Sequence, residues 1–84
     1  MRKQLHPKEV LMSSTYFTLP EAQSKLRRRV VTTVPFVDVP ANSTGMVTSY
    51  YKMGKLYGLT IKWDHANVED GFSKDEYEEF LREV

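Results

Sequence analysis

The sequence predicts one small domain of the mainly β (α+β) class, a partly open β-barrel with a short N-terminal helix and a C-terminal helix. Three observations lead to this prediction. The chain has 84 residues, which is the length of a single domain. Alternating apolar residues in its central part indicate β-strands, and helix-capping signatures occur both before and after them.

The first helix is predicted over residues 19–26. Thr18 is followed three residues later by Glu21, which is the spacing of a capping box. Pro20 occupies the first turn, where its missing N–H costs no hydrogen bond. A helix of about two turns is too short to be stable alone, so packing against the rest of the domain has to hold it.

Three strands are expected in the middle of the chain. A run of β-branched residues predicts the first over residues 29–34, and the second follows over residues 46–51. Gly54 marks a tight reversal into the third strand, where large apolar side chains alternate with small or polar ones over residues 57–63. Residues 35–44 combine two prolines with three apolar side chains, which indicates a structured loop.

A second capping box predicts the C-terminal helix, with Ser73 as the cap and Glu76 as its partner. Apolar residues recur at helical spacing through Leu81 and Val84, which provides the helix with an apolar stripe to bury. Phe72, just before the helix, is expected to close a short final strand.

The remaining predictions concern domain boundaries and location. Residues 1–16 show no clean periodicity and are predicted to form a flexible arm before a single domain over residues 17–84. No stretch approaches the roughly 20 apolar residues that span a bilayer, and the basic N-terminus lacks the apolar run of a secretory signal. Cysteine is absent, which excludes disulfides and thiolate ligands and fits a reducing compartment. We therefore expect a cytoplasmic protein with no membrane partner.

Three stretches carry a resemblance to known proteins: residues 39–47 (VPANSTGMV), 59–64 (LTIKWD) and 71–81 (GFSKDEYEEFL). Through them, residues 18–84 resemble a group of small uncharacterised bacterial proteins with an SH3-like β-barrel fold. The resemblance implies an SH3-like fold in this chain and brings no established activity, since a fold does not by itself choose a function. It also implies a sharp turn at which Gly45 takes a positive φ.

The net charge of +1 is distributed unevenly along the chain. Residues 1–30 carry a net charge of +5, residues 31–63 carry +2 and residues 64–84 carry −6. Such asymmetry is compatible with a nucleic-acid patch or an acidic docking face. It is equally compatible with two chain ends that lie side by side in the fold.

The leading functional hypothesis is a non-enzymatic interaction module, either a protein-binding adaptor or an accessory subunit. Its motive is the apolar character of the loop over residues 35–44. The predicted partner-binding residues are Phe36, Val37, Val39, Tyr51, Lys55 and Tyr57. The sequence contains no nucleophile elbow, phosphate loop, dinucleotide fingerprint or zinc spacing, so we assign no catalytic, cofactor-binding or metal-binding residue.

The alternative hypothesis is a nucleic-acid-binding barrel, in which cations neutralise phosphates and hairpin tyrosines stack on bases. Its predicted contacts are Arg27, Arg28, Arg29, Lys52, Lys55 and Lys62. The basic cluster at the helix end can instead pair with the acidic C-terminal segment. Of the adjacent Tyr50 and Tyr51 only one can face the core, and Trp63 is assigned to the core. The identity of the partner and the oligomeric state stay open.

Overall fold

The computed structural model describes residues 15–84, so the predicted arm lies outside the described residues except for its last two positions. The elements are α1 (Leu19–Lys25), β1 (Arg29–Thr32), β2 (Thr44–Met53), β3 (Leu56–Trp63), β4 (Glu69–Phe72), α2 (Lys74–Phe80) and β5 (Leu81–Glu83). The strands form one open antiparallel sheet in the order β4-β3-β2-β1-β5. The predicted mainly β class with two short helices is confirmed.

Both helices begin at the capping boxes that the sequence indicates. In α1 the Thr18 hydroxyl accepts a hydrogen bond from the Glu21 N–H at 3.3 Å, and the Glu21 carboxylate accepts one from the Thr18 N–H at 2.9 Å. Ser73 and Glu76 make the same reciprocal pair at the start of α2, at 3.2 and 3.0 Å. These bonds satisfy N–H groups that the first turn of a helix leaves without a partner.

The β2–β3 hairpin forms the centre of the sheet. It reverses at Gly54, as predicted, and the φ of +62° at this position is one that glycine adopts without strain. The alternation predicted for the third strand is also confirmed, because Leu59, Ile61 and Trp63 are buried on one face of β3. The register between β2 and β3 shifts after Val47, which marks a β-bulge that bends the longest strand of the sheet.

The core fills the space between this inner face and the two helices. Its largest fully buried side chains are Trp63, Phe17, Phe72, Leu59 and Ile61. Trp63 is 1% exposed, which confirms its assignment to the core, and its indole N–H donates a 2.8 Å hydrogen bond to Asp70. The rings of Phe17 and Tyr77 of α2 pack edge to face with their centroids 5.7 Å apart. Helix α2 therefore packs against the core.

The segment before α1 is joined to α2 by polar contacts. The Thr15 N–H and hydroxyl donate to the Asp75 carboxylate at 3.0 and 2.5 Å. Lys74 forms a 3.0 Å ion pair with Glu21. The pKa of the Glu21 carboxyl is lowered, most strongly by the hydrogen bond from the Thr18 N–H and next by the contact with Lys74. The start of the domain and its last helix therefore lie side by side.

The C-terminal end differs from the sequence prediction. Helix α2 ends at Phe80, and β5 then pairs antiparallel with β1. Leu81 is buried in the core from an extended backbone, whereas Val84 is 75% exposed instead of joining an apolar helical stripe. The helical spacing of these residues is a local signal, and the pairing edge offered by β1 outweighs it.

Gly45 also differs from the expectation of a sharp turn. It lies within β2 opposite Trp63 and has no positive φ. A Cβ at this position would lie 2.8 Å from both the Lys62 carbonyl oxygen and the Trp63 Cε3 atom. The structure therefore requires glycine here for the close approach of two strands. Asp38 and Asn42 provide the left-handed positions of the preceding loop.

Candidate interaction surfaces

The loop over residues 35–44 contains a closed turn. Phe36 and Val39 exchange two backbone hydrogen bonds of 2.8 and 2.9 Å, and Asp38 between them has a φ of +63°. This arrangement holds Val37 and Asp38 at the tip. Aspartate tolerates the left-handed conformation better than most residues do, which explains its place in the turn.

The three apolar residues of this loop have different environments. Val39 is buried, and the Phe36 ring packs against the core at 5.4 Å from Phe72 and 6.3 Å from Trp63. Val37 is 86% exposed. Of the three loop residues predicted to bind a partner, only Val37 therefore presents most of its side chain to a partner, while the other two anchor the turn.

Tyr51 lies across the outer face of the sheet, above two glycines. A Cβ at Gly58 would approach the Tyr51 Cζ atom to 2.3 Å, and one at Gly71 would approach its hydroxyl oxygen to 2.9 Å. The glycines thus leave the space that the ring fills. Tyr57 belongs to the opposite face, where it meets Tyr50 edge to face at 5.5 Å. Both predicted contact tyrosines are half-buried, so each packs on the sheet as well as facing solvent.

The two parts of the predicted protein-binding site lie at opposite ends of the β2–β3 hairpin. The loop joins β2 at Thr44, whose carbonyl accepts a 2.9 Å hydrogen bond from Asp64, just beyond the end of β3. Lys55 is exposed in the turn at the other end. The eight residues of β3 separate these ends by about 25 Å. The structure therefore does not bring the loop and the hairpin turn together into one contact surface.

The Glu83 carboxylate binds two members of the basic cluster, which is the run of cations at residues 25–29. It accepts hydrogen bonds from Lys25 at 2.5 Å, from Arg28 at 3.4 Å and from the Tyr77 hydroxyl at 2.9 Å. The hydrogen bond from Lys25 lowers the pKa of the Glu83 carboxyl, and burial raises the pKa of the Tyr77 hydroxyl. Lys25 and Arg28 thus pair with the acidic C-terminal segment, and the network joins α1, α2 and β5.

The other two arginines of the cluster have different surroundings. Arg29 forms a bidentate pair with Asp64, and the Thr44 hydroxyl donates a 2.6 Å hydrogen bond to the same carboxylate. Both contacts lower the pKa of the Asp64 carboxyl, and the pair with Arg29 has the larger effect. Arg27 is exposed, and no carboxylate of residues 15–84 forms an ion pair with it. Its φ of +70° is unusual for a long side chain.

The cations predicted to bind nucleic acid are divided between the two faces of the sheet. Arg29, Met46 and Lys62 occupy one cross-strand row on the outer face. Lys52 pairs with Tyr57, whose side chain belongs to the inner face. The structure therefore groups Lys62 with Arg29 and separates Lys52 from both.

A groove that no sequence pattern indicated lies beside Arg27. The groove has a volume of about 140 Å³ and is lined by Leu26, Arg27, Met46, Val47 and Thr48. Its two sides meet through backbone hydrogen bonds that join Arg27 and Arg28 to Val47 at 2.8 and 3.0 Å. Because the groove depends on this strand pairing, no local sequence signal indicates it.

The stability of the protein is expected to fall in acid. In the folded protein the pKa values of the Glu21, Asp64 and Glu83 carboxyls are lowered by the hydrogen bonds and cations described above. The unfolded chain therefore binds protons more readily than the folded chain, so this stabilisation is complete above the ordinary pKa values and is lost as the pH falls through the lowered ones. Thermal melts should show a constant Tm down to about pH 5 and a falling Tm below it.

The variant Glu83→Gln provides the control for this prediction. Glutamine retains a hydrogen-bond acceptor but does not titrate, so the Tm of the variant should depend less steeply on pH below about 5. Equal slopes for the variant and the wild type would show that Glu83 does not contribute to acid sensitivity.

The remaining observations concern other classes of site. In the described part of the chain, no helix is both long and apolar enough to cross a membrane. Within residues 15–84, no group of three or more His, Asp or Glu side chains is arranged to hold a metal ion. Comparisons of the chain with protein-family models, with curated proteins and with solved structures found no match.

Proposed function

We propose that this protein is a non-enzymatic interaction module that binds another protein through the tip of the loop at residues 35–44. The observation that carries the proposal is the environment of Val37, which is 86% exposed between two residues that anchor the turn in the core. The closed turn adds a second support, because a rigid loop loses little conformational entropy when it binds.

The proposed scaffold is an SH3-like, partly open barrel. Its support is the course of β2, which has ten residues, pairs with β1 over its first part and pairs with β3 along nearly its whole length. The register shift after Val47 bends this strand. A long bent strand shared by two parts of a sheet allows the sheet to curve around the core.

The tip also indicates the chemistry of the partner surface. Val37 offers an apolar side chain, and the exposed Asp38 beside it offers a negative charge. A complementary partner would present a small apolar pocket with a cation at its rim. The two tip residues lie next to each other in one turn, so they can bind together without rearrangement of the loop.

Site-specific crosslinking tests the proposal. A photoreactive amino acid is placed at position 37 of the full-length chain and, as a matched control, at position 84, where Val84 is 75% exposed. We expect a discrete protein adduct from position 37 in the cells that make the protein and none of the same mass from position 84. The crosslinked protein is then identified and purified.

Binding of the purified partner to the variant Val37→Ser provides the quantitative test. Because residues that matter at an interface cost more than about 1 kcal/mol when truncated, we expect the affinity to fall about fivefold or more. The Tm of the variant should stay the same, since Val37 makes little contact with the core. Unchanged affinity would contradict the proposal.

Nucleic-acid binding has weaker support, because its predicted cations lie on two faces and two of them, Arg28 and Arg29, are already paired with carboxylates. Titration of the full-length protein with single-stranded DNA at low salt would show it. Salt-sensitive amide shifts at Arg27 and Lys62, without an effect at Val37, would favour nucleic-acid binding over the proposal.

A further inference from the structure

One edge of β2 is open over the second part of the strand. Residues 29–31 of β1 pair with residues 44–46 of β2, and the last bond of this ladder joins the Arg27 N–H to the Val47 carbonyl at 2.8 Å. Arg27, with its positive φ, lies in the short connection between the end of α1 and the start of β1. From Thr48 onwards, β2 is paired with β3 alone within the described part of the chain.

The hydrogen-bonding pattern of the hairpin identifies the free groups of this edge. Met53 and Leu56 close the two-residue turn at Gly54 and form a hydrogen-bonded residue pair. From this pair onwards, hydrogen-bonded and non-hydrogen-bonded residue pairs alternate along the hairpin. Tyr50 and Lys52 therefore direct their N–H and C=O groups away from β3. The same alternation predicts that Tyr57 faces away from β2, and its N–H and C=O indeed bond to Phe17 at 2.8 Å.

Within residues 15–84, no backbone group bonds to the outward N–H and C=O of Tyr50 or Lys52. Helix α1 lies over the inner face, where Ala22 is buried in the core. The Gln23 amide reaches the Tyr50 hydroxyl at 3.5 Å, so the helix covers that side chain. The backbone edge itself is a template for another strand.

The side chains around this edge are basic. Arg27 lies where the edge begins, and Lys52 lies on the edge strand itself; both are exposed and neither forms an ion pair with residues 15–84. The groove of about 140 Å³ beside Arg27 adjoins Thr48, so it can receive one side chain of an added strand. Charge complementarity therefore favours an acidic strand.

We propose that the open edge of β2, over residues 48–52, binds an extended acidic peptide segment of a partner protein by strand addition. Main-chain hydrogen bonds would supply the affinity, and the cations and the groove would supply the selectivity. This surface does not include Val37, so it goes beyond the proposed function and is tested separately.

The outer edges of the sheet are poorer sites for the same ligand. Strands β4 and β5 have only four and three residues. Glu69 and Asp70 lie on β4 and repel an acidic strand, whereas β5 carries Arg82 beside a Glu83 that is already paired with Lys25 and Arg28. Short, charged edges are a common protection against strand pairing.

The test is an NMR titration of the full-length ¹⁵N-labelled protein with two synthetic peptides of about seven residues. One peptide alternates glutamate and valine, and the other alternates lysine and valine. We expect the acidic peptide to shift the amide signals of Tyr50 and Lys52 and to slow their hydrogen exchange, because these N–H groups gain acceptors. The amides of Ser49 and Tyr51 already face β3 and should change less.

The variant Arg27→Gly removes a cation without endangering the fold. Glycine adopts a φ of +70° without strain, so we expect the Tm to rise by about 4 °C. The affinity for the acidic peptide should fall about two- to fivefold. The matched control Arg82→Ala removes an exposed arginine from β5 and should leave the affinity unchanged.

Three results would overturn the proposal. The first is equal binding of both peptides, or of neither. The second is a response to single-stranded DNA at Arg27 and Lys62 without protection of the Tyr50 and Lys52 amides, which would assign the cations to a polyanion. The third is protection of those two amides in the absence of peptide that rises with protein concentration, which would assign the edge to a second copy of the chain.

Discussion

Replacing Trp63 with alanine is expected to destabilise the protein by about 3–5 kcal/mol. The indole is 1% exposed and packs against Phe36 and Phe72 at ring-centroid distances of 6.3 and 6.4 Å. A domain of this kind has a total stability of about 5–15 kcal/mol, so the loss is a large part of the whole. Urea unfolding followed by circular dichroism measures it.

The variant Trp63→Phe separates packing from hydrogen bonding. Phenylalanine retains much of the apolar volume but cannot donate to Asp70, which accepts the indole N–H at 2.8 Å. We expect it to cost about 1–2 kcal/mol, well below the cost of alanine. Because Phe36 anchors the Val37 turn against Trp63, the alanine variant should also loosen the loop. A cost below about 1 kcal/mol for alanine would contradict the described core.

Replacing Gly45 with alanine is expected to cost about 2–3 kcal/mol, although the change adds only one methyl group. The new Cβ would lie 2.8 Å from the Lys62 carbonyl oxygen and from the Trp63 ring. The carbonyl belongs to the backbone of the adjacent strand and cannot move without disturbing the ladder. Thermal and urea unfolding of the variant measure the cost.

Gly54→Ala is the matched control, because the two glycines are required for different reasons. At Gly54 a Cβ meets no atom within 4 Å, and the substitution is unfavourable only because φ is +62°. The expected cost is about 1 kcal/mol. If Gly54→Ala proved the more destabilising of the two, the steric explanation for Gly45 would be wrong.

The elements that the sequence predicted correctly rest on short-range signals. Both capping boxes and the glycine turn involve residues within a few positions of each other, and the alternation of β3 shows that one face is buried. In each of these patterns, the residues that interact lie within one short segment of the chain. These elements can therefore be predicted without knowledge of the rest of the fold.

β5 was missed because its constraint is not local. Leu81 continues the apolar spacing of α2, and nothing within the segment indicates that the helix ends at Phe80. The change to an extended backbone is stabilised by hydrogen bonds to β1, about fifty residues earlier in the chain. The same holds for Gly45, whose neighbour across the sheet is Trp63.

The candidate surfaces show the same difference between features that local sequence indicates and features that depend on tertiary contacts. The apolar composition of residues 35–44 indicated a structured loop, but only the tertiary contacts of Phe36 and Val39 separate these anchors from the exposed Val37. Likewise, the run of cations at residues 25–29 is visible in the sequence, while its pairing with Glu83 and Asp64 depends on the fold.

The sequence by itself determined the mainly β class, the starts of both helices, the central hairpin and the place of Trp63 in the core. Each of these follows from the periodicity or the backbone preference of a few consecutive residues. Only the tertiary structure decided the last strand, the exposed side chain of the loop, the partners of the cations and the open edge of β2. Those features depend on which distant segments come into contact, because burial, ion pairing and strand register arise only from such contacts.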